Sequence, residues 1–233
     1  MAAIVVSSCG GGSTYSLSQG NLAQRFLPTE RSASHHPDSL VSVTIEEEED
    51  HYTLDLKKDY EALHRKWSCT YQVIGTDRRQ TGLSYATFWS HELSLASLEP
   101  EVGLSTLTKD QALQSIERRR KEYQSSIQID VYWFEREGNS VLTGPGSYAE
   151  LQIAGETYKP KSEDHGPLRE TFLPGTANSA LYRRNTFHFK RVVDSTDIFK
   201  DVDKMTLVLR ETGLGSRVRF VWSWPGGVRA SGL

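Results

Sequence analysis

An imidazole flanked by carboxylates is the first place to look for chemistry in this chain. His165 follows Asp164 and precedes Glu170 within a polar connection spanning residues 160–180. A histidine oriented by a carboxylate is the general-base half of many hydrolytic sites. His165 with Asp164 or Glu170 is therefore one candidate catalytic set. The spacing matches no defined motif, and a plain surface loop explains the same residues. Other clusters are poorer. His35 and His36 are adjacent, but a metal site needs further ligands and a rigid surrounding layer, so the pair reads as solvated. Residues 46–50 are successive carboxylates, whereas calcium loops space their oxygens around a tight turn. His91-Glu92 does not extend to HExxH, because Leu95 stands where the second histidine would be. The chain carries no GxSxG, P-loop, GxGxxG or CxxC pattern. The expectation is no metal, no cofactor, and binding rather than catalysis.

A binding function has its own candidates. Rings that stand clear of a β-sheet can stack on sugar faces, and Tyr148, Tyr158, Tyr182 and Trp224 are placed for that role. This makes a carbohydrate-binding module an alternative to the hydrolase. Basic residues cluster at Arg118-Arg119-Arg120-Lys121, Arg183-Arg184, Lys190-Arg191 and Arg217/Arg219. They can attract an anion, but a charge run on a helix is usually a solvated face. A formal net charge of −3 over 233 residues provides no basic excess, so nucleic acid is not an expected partner.

The N-terminus runs from apolar to small residues and then to a cysteine: Ile4-Val5-Val6-Ser7-Ser8-Cys9. Val6-Ser7-Ser8-Cys9 resembles the lipobox of bacterial lipoproteins. That resemblance implies lipidation at Cys9 and anchorage in the cell envelope, facing the periplasm or exterior. The partners it implies are the membrane itself and an envelope protein or glycan. Gly10-Gly11-Gly12-Ser13 after it suits a flexible tether. An export signal needs a positive start and about 7–15 apolar residues. Only residues 2–6 are apolar here, so the resemblance implies a start upstream of Met1. The alternative is a meaningless small-residue leader on a cytoplasmic or otherwise exported protein. A lipid chain holds a domain at a surface without a spanning helix, and no run approaches the roughly 18 apolar residues that spanning needs. The other cysteine, Cys69, lies in an apparent strand and reads as a small buried hydrophobe.

These residues need elements to position them. Thr108 and Gln111 form a capping-box pattern, and Leu113, Ile116 and Tyr123 follow at helical spacing, with Ala112 beside them. The period then changes from 3.6 to 2: Ile127, Ile129, Val131 and Trp133 alternate with Gln128, Asp130, Tyr132 and Phe134. The same alternation recurs through Ala149, Leu151 and Ile153, through Phe187 and Phe189, through Met205, Leu207 and Leu209, and through Val218, Phe220 and Trp222. Residues 40–56 read as a hairpin with the acidic run at its tip. Residues 59–67 suit a short helix, and residues 83–98 fit helix and strand equally. The predicted architecture is mainly β: an antiparallel sandwich or barrel-like domain with one prominent helix at about 108–123. Trp133, Phe187, Phe189, Phe220 and Trp222 would form its core. The expected organisation is a leader at 1–9, a tether at 10–39, a single β-rich domain at 40–225 and a tail at 226–233.

Overall fold

The computed structural model describes residues 33–57, 59–73, 84–135, 147–172, 179–211 and 217–225. It opens with the hairpin β1 (Val43–Glu47) and β2 (Tyr52–Leu56), in register from Val43 opposite Leu56 to Glu47 opposite Tyr52. Helix α1 (Tyr60–Lys66) follows, its first turn capped by the Asp59 carboxylate, which accepts from the Ala62 N–H. Next come β3 (Ser68–Val73) and β4 (Tyr85–Phe88). Three helices lead on: α2 (His91–Ala96), α3 (Leu98–Val102) and the long α4 (Lys109–Ser125). The ambiguous stretch 83–98 thus holds both a strand and a helix. Pro100 is tolerated because it sits in the first turn of α3, where its missing N–H has no partner to lose. The predicted capping box of α4 is formed by Thr108 and Gln111.

The remaining strands are β5 (Ser126–Glu135), β6 (Ser147–Ile153), β7 (Glu156–Tyr158), β8 (Ser162–His165), β9 (Arg169–Phe172) and β10 (Ser179–Lys190). A small hairpin, β11 (Val192–Val193) with β12 (Thr196–Asp197), precedes β13 (Lys204–Glu211) and β14 (Arg217–Ser223). Ten strands form one antiparallel curled sheet in the order β7-β6-β13-β14-β3-β4-β5-β10-β8, with β9 also paired to β10. Its two ends, β7 and β8, are successive in the chain and joined by residues 159–161. Covalent continuity therefore brings the sheet edges towards each other. The fold is mainly β and barrel-like, with one prominent helix, as the alternation predicts.

The inner face of the curl is apolar. Leu151, Leu207 and Phe220 stand in one row across β6, β13 and β14. Ile129 pairs with Phe88 on one side and Phe187 on the other. Trp133, Phe187, Phe189, Phe220 and Trp222 are all buried, as expected of the core. Burying each such side chain stabilises the fold by about 1.5–3 kcal/mol. Phe199 closes one end, with its ring 5.6 Å from Phe88 and 6.0 Å from Trp224. Cys69 is buried in this interior, a free thiol whose pKa burial pushes up.

The structure departs from the sequence reading in four places. Leu113 is exposed; α4 instead buries Ala112, Ile116, Arg119 and Tyr123. Residues 33–39, assigned by composition to the tether, pack on the domain. The Ala33 N–H donates to the Ser223 carbonyl, and Pro37 accepts from the His91 N–H. His35 and His36 are not a solvated pair: His35 meets the buried Glu92 carboxylate at 2.8 Å, and His36 lies edge-on to Trp224. Residues 160–172 are not a plain loop, because β8 and β9 pair with β10 there. The two-residue turn Ala154-Gly155 joining β6 to β7 has φ of 51° and 87°. Positive φ at both positions matches the hairpin turn whose twist suits the strands, and the glycine meets that requirement without strain.

Candidate functional site

The sequence-predicted catalytic set does not converge. His165 lies opposite Asn185 at the end of the exposed strand β8. Its nearest carboxylate is Glu163, two residues back on the same face, with Nε2 to Oε2 at 3.3 Å. Asp164 is opposite Thr186 and so turns to the other face of the strand. Glu170 is opposite Leu181, four positions along β10 from Asn185, or about 13 Å at the strand rise. His165 also meets Asn185 Oδ1 through Nδ1 at 3.3 Å and lies edge-on to Phe187. The geometry offers an imidazole–carboxylate pair on an edge strand, built from Glu163 rather than the predicted partners.

The aromatic set also divides. Tyr148 is exposed, at 43%. Tyr158 is half-buried against the core. Tyr182 and Trp224 are buried: Tyr182 stacks on Phe134 at 5.4 Å, and the Trp224 indole donates to the Val202 carbonyl. Those two rings cannot contribute to an exposed stacking row, because Tyr182 packs on the β5 rings Tyr132 and Phe134 and Trp224 packs under the loop carrying Phe199 and Val202. Cys9 lies outside the described residues.

A denser concentration of polar chemistry lies on the outer face of β4, β5 and β10, beneath the helices. Asp130 is fully buried and accepts from five donors. The Trp89 indole and the Arg184 Nε and Nη2 reach Oδ2 at 2.8, 3.0 and 2.6 Å; Thr186 Oγ1 and Gln128 Nε2 reach Oδ1 at 2.8 and 3.1 Å. Burial disfavours the Arg184 guanidinium, but the Asp130 charge outweighs it and holds the arginine protonated. His64 of α1 packs edge-on to Trp89, and burial, with the Arg184 charge, pushes its imidazole down to about 3. Tyr85 stacks on Tyr132 at 4.8 Å, and Tyr132 stacks in turn against Tyr182. Burial raises the Tyr85 and Tyr60 phenols well above their usual range. Neither phenol oxygen finds a hydrogen-bond partner among the described residues. Sequence reasoning missed this cluster. Its only trace was polar residues at alternate positions of a strand that an amphipathic sheet would turn to water. Chemically it is a fastening: Asp130 has its oxygens occupied, and its neighbours are dry and neutral or paired.

A second buried carboxylate fastens the N-terminal segment. Glu92 accepts from Trp67 Nε1 at 2.8 Å, Lys66 Nζ at 3.0 Å and the Ser42 N–H at 3.1 Å, besides the His35 contact. Burial opposes its charge, but Lys66 and Trp67 win, and its pKa falls below the ordinary carboxylate range. Asp38 behaves alike: burial is outweighed by Arg191, at 2.7 Å, and by the Tyr123 hydroxyl.

The other half of the sheet presents a different outer face. On β6 and β13 the residues pointing away from the core are Tyr148, Glu150 and Gln152, and Lys204, Thr206, Val208 and Arg210. Apart from the buried Val208, these reach solvent in part or fully. Arg210 holds Glu150 at 2.7 Å and lies 6.0 Å from the Tyr148 ring centre. At one end the face deepens into a groove of ≈ 490 Å³ lined by Gln152, Thr157, Asp201, Asp203, Lys204 and Thr206, among others. No cluster of three or more candidate metal ligands occurs among the described residues, and none of the described helices is long and apolar enough to cross a membrane. No protein-family model matches the chain, and no curated protein or solved structure is similar enough to match it.

Proposed function

We propose that this chain is a non-enzymatic binding domain of an exported bacterial lipoprotein, tethered at Cys9 and acting through the outer face of β6 and β13. The observation that carries the binding part is the ordered Tyr148–Arg210–Glu150 set on a sheet face that the described helices leave open. Tyrosine and arginine are the residue types that dominate recognition surfaces, and here the arginine is already fixed by its neighbours. A preorganised side chain loses less entropy on binding. The anchoring part rests on the lipobox-like Val6-Ser7-Ser8-Cys9 and the glycine-rich residues after it. A lipid at Cys9 would hold the domain at an envelope membrane by a flexible link. Labelling with a palmitate analogue tests the anchor. Incorporation that is blocked by globomycin and lost in Cys9→Ser is the expected result. A soluble mature protein still beginning at Met1 would overturn the anchor and leave a cytoplasmic binding domain.

A further inference from the structure

The groove beside the β6–β7 turn has a floor, a rim and a charge that together specify a ligand class. Its floor is a straight row. Thr157 on β7 is the register partner of Gln152 on β6, and Gln152 is the partner of Thr206 on β13. Register partners in an antiparallel pair stand about 4.5–5.5 Å apart. The row therefore presents hydroxyl, amide and hydroxyl at intervals that match the width of a pyranose ring. Each of these groups can both donate and accept. The rim adds the carboxylates of Asp201 and Asp203 and the ammonium of Lys204. The backbone of Ala154-Gly155 forms part of the wall, and a Cβ placed on Gly155 would meet nothing within 4 Å, so that wall is open to an incoming molecule.

The loop carrying the rim is held from below. The Trp224 indole donates to the Val202 carbonyl at 2.7 Å, and the Trp224 N–H donates to the Asp203 carbonyl at 2.9 Å. Val202 and Phe199 are buried under it. The carboxylates thus stand on a fixed base rather than a free loop. A volume of ≈ 490 Å³ lies within the range of small-molecule sites. No aromatic ring is among the described lining residues, so they give an apolar ligand little to bury. Two carboxylates against one ammonium disfavour an anion.

We infer that this groove binds a polyhydroxylated ligand of neutral or cationic charge: a hexose or amino-sugar unit. Vicinal hydroxyls would donate to Asp201 and Asp203 and exchange hydrogen bonds with Gln152, Thr157 and Thr206. Lys204 would donate to a ring or glycosidic oxygen. The inference rests on the binding-domain reading and narrows its ligand; it is independent of the anchor.

The test is saturation-transfer NMR with titration on the whole chain, using glucose, N-acetylglucosamine, glucosamine and glucuronate as probes. The neutral or amino sugars should bind with dissociation constants on the order of a millimolar, as expected of a polar groove without a stacking ring. Glucuronate should bind at least tenfold more weakly. Gln152→Ala should weaken the preferred sugar about tenfold. Asp203→Asn should also weaken the amino sugar and narrow its advantage over glucuronate. Both side chains reach solvent, and the melting temperature of each variant checks that the fold is kept. Silence from all four probes overturns the inference, as does equal binding of glucuronate. Unchanged affinity in a folded Gln152→Ala also overturns it, because the sugar would then sit elsewhere. The binding-domain reading has a separate readout. If no sugar binds but an envelope protein associates with the domain and loses it in Tyr148→Ala, only the groove assignment fails.

Discussion

Two arginine–carboxylate pairs of nearly equal length stand on the outer faces of opposite halves of the sheet. Arg184 meets Asp130 at 2.6 Å, and Arg210 meets Glu150 at 2.7 Å. The Asp130 side chain is 0% exposed and that of Glu150 is 17%. The first pair lies under the helices and is wired to Trp89, Thr186 and Gln128; the second borders water and touches Tyr148. The comparison teaches that the same chemistry serves as a fastening or as a surface, depending on what lies above it. A charge in a dry site must be matched, so removing one partner strands the other. A charge near water loses little when its partner goes.

The largest effect should come from cutting both pairs in parallel. Asp130→Ala is expected to lower the unfolding free energy by about 3–5 kcal/mol, and Glu150→Ala by about 0–1 kcal/mol, both read from urea titrations. Similar losses would erase the distinction between the halves.

Acid should find the covered half next. His64 stays neutral in the fold down to pH of about 3, whereas its unfolded value is 6.5. Between these values the unfolded chain binds the extra proton, so stability rises with pH and is lost as pH falls. From pH 6.5 to 4.5 the loss from this group is about 2–3 kcal/mol, at 1.36 kcal/mol per unit. His91 and His188, also lowered by burial, add slope of the same sign. His64→Leu should flatten its own share over that window. A variant with the wild-type pH slope would show that His64 is solvated when folded.

A smaller effect is expected at the helical cover itself. Thr108→Ala removes the cap of α4 and should cost about 1 kcal/mol, with earlier thermal loss of the helical signal. The smallest belongs to the open half: Tyr148→Ala should change the unfolding free energy by less than about 0.5 kcal/mol. A loss above 1 kcal/mol would mean that the ring packs as core rather than standing ready for a partner.

How far each half could be read in advance follows from the same contrast. On β6, β13 and β14 one face is apolar and the other polar apart from Val208 and Val221, so two-residue alternation was plain and the core rings Phe220 and Trp222 were foreseeable. On β5 every residue from Ile127 to Phe134 is buried. The polar positions 128 and 130 looked like a solvent face until helices were laid over them. The segment 160–172 carried no apolar alternation: β8 keeps its side chains in water, and both β8 and β9 are set by backbone pairing to β10. The burial of Tyr182 and Trp224 was not legible because ring type does not reveal which distant residues will pack on a ring: β5 rings on Tyr182, the Phe199–Val202 loop on Trp224.

The sequence by itself determined the local matters: the capped helix starting at Thr108, the change of period after it, and an apolar face large enough for a mainly β core. These depend on neighbours within a few residues, where spacing and side-chain type act directly. The tertiary structure decided which carboxylates are buried, that His165 meets Glu163 rather than Asp164 or Glu170, and where a groove forms. Each of those depends on strands and loops far apart in the chain coming together. The desolvation and charge pairing that follow exist only once they do.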